Sequence, residues 1–574
     1  MQTTAADHLV LALQAEGVRH LFGYPGGAAL PLYDALNRSG AIEHVLVRHE
    51  QSAAHAADGY ARASGQVGVC LVSSGPGVTN ALTGIATAFM DSIPMVVLTG
   101  QAPTYALGQD AFQEVDTIGI TRACVKHSFM LTDPQRVEET VKKAFFLART
   151  GRPGPVLIDL PRDITNTALH RPFAYPQEVK IRAYRDNWPP SHRQIQTAAR
   201  AIAAAQRPLI YYGGGVVQGN ASTPLRTLAE LTGAPVTSTL MGLGAYPARD
   251  PQFIGMLGMH GLVEANLAMQ HCDVLIAIGA RFDDRVIGDP VDFARPQRRI
   301  IHIDVDPTSI AKRVAVDIPI VGDCAQVLEA LIQQLRQADQ PLRRPLDWLA
   351  QIDTWRAQHC LAYPSHGAQI KPQRVLELLS EQPGADDYIV TSDVGQHQMW
   401  AAQYFKFNQP RRWINSGGLG TMGFGLPAAI GASLACPGAT VLCITGDGSI
   451  QMSSKELSTC LQQGLPIKII CLNNGYLGMV RQQQDLYHGE RRSQSYMQAL
   501  PDFVKLAQAY GHRGVRIREA HALPDMLAEV MADTRHLVFV DIQISPQENV
   551  YPTLAPGAPL TAMQLRPAPS SEFL

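Results

Sequence analysis

Apolar runs rich in Val, Ile and Leu recur from end to end of this 574-residue chain, separated by segments with helical periodicity. Ten of them read as strands: VGVCLVSS, MVVLTG, PVLIDL, PLIYYGGG, DVLIAIGA, RIIHIDVD, YIVTSD, TVLCITGDG, IKIICLNN and LVFVDIQI. Strands alternating with helices indicate parallel sheets covered by helices on both faces. The opening MQTTAADHLVLALQAEGVRHLF has the 3.6-residue period of an amphipathic helix. Two stretches break the alternation, residues 168–192 and 338–372, both rich in Pro, Arg and aromatic residues. Taken as ordered linkers, they divide the chain into three doubly wound α/β domains at 1–167, 193–337 and 372–545, with a C-terminal tail at 546–574.

The first and third domains share a local pattern. A strand runs into Gly75-Pro76-Gly77 and Pro94 opens the next strand; another runs into Gly446-Asp447-Gly448 and Pro466 opens the next. Strand, turn, helix, Pro, strand is a weak repeat signal taken alone. Trp413 to Gly446 carries no charged side chain, but glycines, Pro427 and Pro437 interrupt it, so it reads as loop, buried helix, turn and buried strand instead of a bilayer span.

Only 17% of residues are charged and the formal net charge is −2, so nothing in the composition attracts a polyanion or a membrane surface. The opening helix has neither the basic region nor the cleavage site of a signal peptide, which makes the cytoplasm the expected location. The nine cysteines lack CxxC or metal-type spacing and are expected as reduced, buried thiols.

Two segments carry candidate chemistry. One is Arg48-His49-Glu50; the other is Gly446-Asp447-Gly448-Ser449, followed by Asn473-Asn474. Asp447 and Asn474 each end an apolar run, 27 positions apart. Neighbouring parallel strands would bring both to one carboxyl edge, where open α/β sheets bind ligands. Hard oxygen donors, a glycine-permitted close backbone and a helix start at Ser449 suit a Mg²⁺-diphosphate. A lone GDGS is more often a tight turn; the asparagine pair and Glu50 change that balance. In the middle domain, Gly213-Gly214-Gly215 follows PLIYY without forming GxGxxG, GARFDDRVIG has the look of a solvated charge run, and RIIHIDVD ends at Asp304 and Asp306, placed for ribose hydroxyls.

Across essentially its whole length the chain resembles the catalytic subunit of acetohydroxyacid synthase (acetolactate synthase), a thiamine diphosphate enzyme family. The resemblance rests on GYPGG (23–27), RHEQ, SSGPG, DAFQE (110–114), GRPGPV (151–156), STLMGLGA (238–245), GMLGMHG (255–261), GARFDDRV, IHIDVDP, SDVGQHQMW, GGLGTMGFGLPAA, TGDGSIQM and LNNGYLGMV. It implies a pyrimidine-binding domain, a central FAD domain and a diphosphate-binding domain, with active sites between subunits of a homodimer or tetramer, and a small regulatory subunit as partner. It also implies the substrates: pyruvate gives up CO₂ and its two-carbon remainder joins a second pyruvate or 2-ketobutyrate.

Carried over residue by residue, the resemblance puts Glu50 against N1′ of the aminopyrimidine, so that the cofactor becomes its own general base. Met422 holds the cofactor bent. Asp447, Asn474 and the backbone carbonyl of Tyr476 bind Mg²⁺. Gly395, Gln396, His397, Gly420, Gly448, Ser449 and Met479 line the thiamine diphosphate, and Gly27 and Gln113 the substrate side. Arg152, Gly213, Gly214, His260, Arg281, Asp283, Arg285, Asp304 and Asp323 are FAD contacts, with Arg285 also offered to the second keto acid. Apolar Phe112, Leu477 and Met479 keep the pocket dry, while His49 and His55 are expected as packed helix histidines. One departure concerns selectivity: Gln483 stands where many family members have a tryptophan linked to 2-ketobutyrate preference, so only weak preference is expected here.

Overall fold

The computed structural model describes residues 3–294, 297–337, 342–364 and 367–566. Its strands form three six-stranded parallel sheets. The first contains β1 (His20–Gly23), β2 (Glu43–Leu46), β3 (Gly68–Val72), β4 (Met95–Gln101), β5 (His127–Met130) and β6 (Pro155–Pro161) in the order β2-β1-β3-β4-β6-β5. The second contains β7 (Pro208–Tyr212), β8 (Val236–Ser238), β9 (Phe253–Met256), β10 (Val274–Ile278), β11 (Arg299–Asp304) and β12 (Ile318–Val321) in the order β12-β11-β10-β7-β8-β9. The third contains β13 (Ile389–Ser392), β14 (Trp413–Asn415), β15 (Val441–Gly446), β16 (Lys468–Asn473), β17 (Arg513–Ile517) and β18 (Val538–Gln543) in the order β14-β13-β15-β16-β18-β17.

Counted from its own first strand, the third sheet has the order of the first. The weak repeat in the sequence is thus a repeat of topology. The middle sheet has the dinucleotide-fold order, and its direction of winding reverses between β7 and β10. In the outer sheets the reversal falls between the first and third strands: β1 and β3, β13 and β15.

The opening helix spans Ala5–Ala15 and starts on a capping box, Thr4 with Asp7. Residues 168–191 form a strap without helix, fastened by Arg171 to Glu138 and by Tyr175 to Glu16. The second linker contains a helix that its sequence did not announce, Leu346–Arg356, docked on the middle sheet through the Trp348 indole donating to the Pro208 carbonyl. Residues 338–341 and 365–366 of that linker, and 567–574 of the tail, lie outside the described residues. The described part of the tail buries Val550, Leu554 and Leu560. The uncharged stretch becomes β14 where a loop was expected, then loop, the buried helix Gly425–Ala435, a turn and β15; among the described residues no helix is long and apolar enough to cross a membrane.

A single apolar core joins the first and third units. At its centre the helix Glu50–Ser64 crosses Gly425–Ala435, and the approach is close enough that glycine is required on both sides. A Cβ at Gly59 would collide with the Ala428 backbone, and one at Gly431 with the Ala56 carbonyl. That crossing fixes where the amino end of the first helix, and with it Glu50, sits.

Candidate cofactor-binding and active site

The carboxyl edge of the third sheet opens at the winding reversal into a cleft lined by Gly395, Gln396, His397, Asp447, Gly448 and Asn474, among others. β15 and β16 pair in parallel with Gly446 opposite Leu472, so Asp447 and Asn474 emerge side by side, as the strand reading requires. The Asn474 amide N–H lies 3.4 Å from Asp447 Oδ1. Asp447 Oδ2 is buried with no hydrogen-bond partner, and burial raises its carboxyl pKa to about 7. A buried carboxylate oxygen lacking a donor is costly unless a cation meets it. Among the described residues no group of three or more His, Cys, Asp or Glu gathers for a metal, so a cation here would take one carboxylate plus amide and carbonyl oxygens, the donor set of a hard divalent ion.

The cleft walls explain the glycines of the motifs. A Cβ on Gly446 would come within 2.9 Å of His397 Nδ1, one on Gly448 within 2.7 Å of Leu477, and Gly395 has φ +153°. Gly395 precedes the nine-residue helix Gln396–Tyr404, whose amino end opens on the cleft and offers free N–H groups to an anion. Burial pushes the His397 imidazole down to about 3, leaving it neutral, with Nε2 unpartnered. Ser449, Met422, Tyr476, Leu477 and Met479 complete the lining. Gly420 is exposed, in the left-handed region at φ +72°, and does not line the cleft.

The first sheet has a corresponding edge. Glu50 begins its helix half-buried and accepts from Asn80 Nδ2 at 3.0 Å. A Cβ on Gly77 would lie 3.8 Å from Glu50 Oε1, and one on Gly75 would touch the backbone of Gln113, itself at φ +58°. Gly27 and Gln113 are exposed and Phe112 is 91% exposed, away from the cleft lining. His49 caps the helix by accepting from Gln51 N, and His55 is fully buried against Phe424.

In the middle unit the glycine cluster and Gly279 meet back to back at the reversal between β7 and β10. A Cβ on Gly213 or on Gly215 would collide with Gly279. Asp304 ends β11 buried, its carboxyl pushed up to about 6 by burial, and Asp323 caps the helix Cys324–Arg336 within 3.3 Å of where a Gly219 Cβ would be. The Thr239 hydroxyl, beside this edge, is buried and unpartnered, and so is Nδ1 of His260. Glycine cradles and orphaned donors at a switch point fit a nucleotide cofactor. Asp283 caps the short helix Asp284–Ile287, Arg285 is exposed with its guanidinium 3.3 Å from Met259 Sδ, and Arg281 bears electrostatically on Asp283. Arg152 reaches across from the first unit to Asp306 at 3.2 Å.

Three family models cover these three units. The N-terminal TPP binding domain of thiamine pyrophosphate enzymes matches residues 3–120, their central domain 195–331, and their C-terminal TPP binding domain 393–542. The chain is 53% identical over 566 residues to the acetolactate synthase isozyme 3 large subunit of Escherichia coli (strain K12), covering 98% of each chain. The chain belongs to the acetolactate synthase large-subunit family. It is likewise 49% identical over 563 residues to the acetolactate synthase large subunit of Haemophilus influenzae, covering 98% of each, and 46% identical over 562 residues to an acetolactate synthase of Mycobacterium bovis, covering 97% of this chain and 90% of that one.

Within this acetolactate synthase fold the motif residues separate into three groups. Gly395, Gln396, His397, Met422, Asp447, Gly448, Ser449, Asn474, Tyr476 and Met479 share the third-sheet cleft; Glu50 and Gln113 cluster at the first sheet; the flavin candidates gather around the middle sheet. Gln483 lies exposed on the helix Gly478–Tyr487, outside the cleft lining. Sequence reasoning missed Asn80, the partner of Glu50, and Gln482, whose buried amide links Gln396 to the tail at Val550. Asn80 stands four residues into the helix that follows Gly75, a spacing that could have been noticed. The Gln482 link joins positions 86 and 68 residues away and has no local signal.

Proposed function

We propose that this chain is the catalytic subunit of an acetolactate synthase: it decarboxylates pyruvate on thiamine diphosphate and ligates the two-carbon unit to a second pyruvate, or to 2-ketobutyrate, at the entry to branched-chain amino-acid synthesis. The observation that carries this reading is the cleft at the β13/β15 reversal, which holds a buried, unpartnered Asp447 oxygen and is lined by Gly395, Gly446, Gly448 and Gly478. Asp447, Asn474 and the Tyr476 carbonyl are assigned to Mg²⁺. Gln396, His397, Gly448 and Ser449 are assigned to the diphosphate, and Gly395 to its turn, while Gly420, outside the cleft lining, is assigned to the loop that carries Met422. Bound thiamine diphosphate supplies the electron sink for decarboxylation. Glu50 holds the proton that sets the tautomer of the aminopyrimidine, and Asn80 orients its carboxylate. Met422, Leu477 and Met479 exclude water where the two-carbon unit must meet a keto acid and not a proton.

The middle unit is assigned FAD, held by Arg152, Gly213, Gly214, His260, Arg281, Asp283, Arg285, Asp304 and Asp323; orphaned Thr239 and the Gly213–Gly279 contact support a nucleotide there. The flavin is structural, because joining two keto acids transfers no net electrons. Residues 1–167, 193–337 and 372–545 are taken as the corresponding domains. We assign Gly27, Gln113 and Phe112 to a neighbouring subunit's cleft. Phe112, Leu30 and Tyr105 near Glu50's edge and Met452, Val480 and Tyr496 near the cleft are all exposed, as surfaces covered by a second copy would be in one chain alone. A small regulatory subunit completes the assembly. Gln483 gives little apolar contact to the ethyl group of 2-ketobutyrate, so preference for it over pyruvate is weak.

Incubation with pyruvate, thiamine diphosphate, Mg²⁺ and FAD tests the assignment. It predicts 2-acetolactate. Acetaldehyde would instead indicate a decarboxylase, and acetyl phosphate or acetate with peroxide an oxidase.

A further inference from the structure

The loop that carries Met422 has little stiffness of its own. Glycines stand at 417, 418, 420 and 423, two of them at positive φ, so its conformation must be set by what it touches. Besides Met241 of the middle unit and the Ser416 hydroxyl of its own unit, it touches the first unit of the same chain. Asp91 follows the helix Pro76–Met90, its side chain wholly buried; Oδ1 accepts from Gly418 N at 2.7 Å, and Oδ2 accepts from Gly417 N at 3.1 Å and from Arg62 Nη2 at 2.8 Å. One turn earlier, the Thr87 hydroxyl meets that of Thr421, the neighbour of Met422, at 2.8 Å and buried. A Cβ on Gly418 would lie 2.7 Å from Asp91 Oδ1, so the fit is close.

A carboxylate at the carboxyl end of a helix is unfavourably placed against the helix dipole. Arg62 and the two loop N–H groups compensate it, and the loop N–H groups gain charge-assisted hydrogen bonds stronger than neutral ones. The adjacent Ser92, at φ +60°, accepts from Arg152, which also reaches Asp306, so all three units meet at this turn.

We propose that Asp91, helped by Thr87, is a positioning residue that sets the height of the Met422 side chain in the cleft. The proposal rests on the reading of Met422 as the residue that holds the cofactor bent. Misplacing a positioned group by about 1 Å costs on the order of 10²-fold in rate; a partial release of the loop costs less. Asp91→Asn removes the carboxylate charge and one acceptor while keeping the shape. It is expected to slow C2–H exchange of bound thiamine diphosphate and kcat together, by about tenfold, with KM for pyruvate unchanged, since a shifted cofactor does not alter how the keto acid is held. Thr87→Val, which loses the hydroxyl contact to Thr421 together with the hydroxyl's bond to the Thr83 carbonyl in its own helix, is expected to slow both by about threefold. Met422→Ala is the comparator. Wild-type exchange in Met422→Ala sinks the reading of Met422 itself. Slowed exchange there, with wild-type exchange in a folded Asp91→Asn, sinks the positioning role alone. If Asp91→Asn does not fold, wild-type exchange in Thr87→Val overturns the proposal, and slowed exchange supports it.

Discussion

The proposed function gives Glu50 and Asp447 different work with the same carboxylate. Glu50 is half-buried and oriented by Asn80, and its assigned task is to hold a proton. Glu50→Gln should therefore fold and bind cofactor but lose about 10²–10⁴-fold in turnover, the usual size of acid–base assistance. Near-normal C2–H exchange in the variant would remove Glu50 from the chemistry. Asp447 is buried deeply enough that its carboxyl titrates near 7 instead of the usual 3.8. Between those values the folded chain holds a proton that the unfolded chain does not. Without a cation, the stability contributed by this residue therefore declines as pH rises through that window. Mg²⁺ must displace the same proton, so its affinity should rise with pH and level off above about 7. Calorimetric titration of Mg²⁺ in the presence of thiamine diphosphate checks this; an affinity flat from acid to neutral pH contradicts it. Both residues stand out in the sequence because each sits in a short motif of distinctive composition. Asn80, Asp91 and Gln482 do not, since their contacts are with partners that only folding brings near.

Strands show where a sequence speaks clearly. The ten runs read as strands are interior to the sheets. All six edge strands, β2, β5, β9, β12, β14 and β17, went unread, together with the short interior strands β1 and β8. An edge strand is paired on one side only and tolerates polar, shorter segments such as EHVL or RGVRI, which lack the continuous apolar signal of a strand buried on both faces. The crossing of the helices Glu50–Ser64 and Gly425–Ala435 was hidden for another reason: its glycines are required by a partner hundreds of residues away. Gly431→Ala should overpack that crossing against the Ala56 carbonyl and destabilise the chain by about 1–3 kcal/mol, or more where the backbone cannot yield. Denaturant unfolding measures it. A variant as stable as the wild type would mean that the two helices separate easily, contrary to the shared core.

Two sheets of one topology present their carboxyl edges, and the proposed assignment gives them complementary chemistry: a proton-holding glutamate on one, a cation and anion cradle on the other. If Glu50 of one copy serves the cleft of another, mixing inactive Glu50→Gln and Asp447→Ala chains should restore about a quarter of wild-type activity after subunits exchange at random, because half the dimers are mixed and each regains one site. No recovery after demonstrated exchange would place both halves of a site in one chain. The domain count and the parallel architecture were legible from alternation alone, whereas the shared strand order of the outer sheets required the pairings.

Stoichiometry decides whether the chain is a carboligase. With purified chain, thiamine diphosphate, Mg²⁺, FAD and pyruvate alone, the balance of pyruvate consumed, CO₂ released and oxygen taken up should be followed together. Two pyruvates should disappear for each CO₂, with no oxygen uptake. One CO₂ for each pyruvate, with or without oxygen consumed, would contradict it.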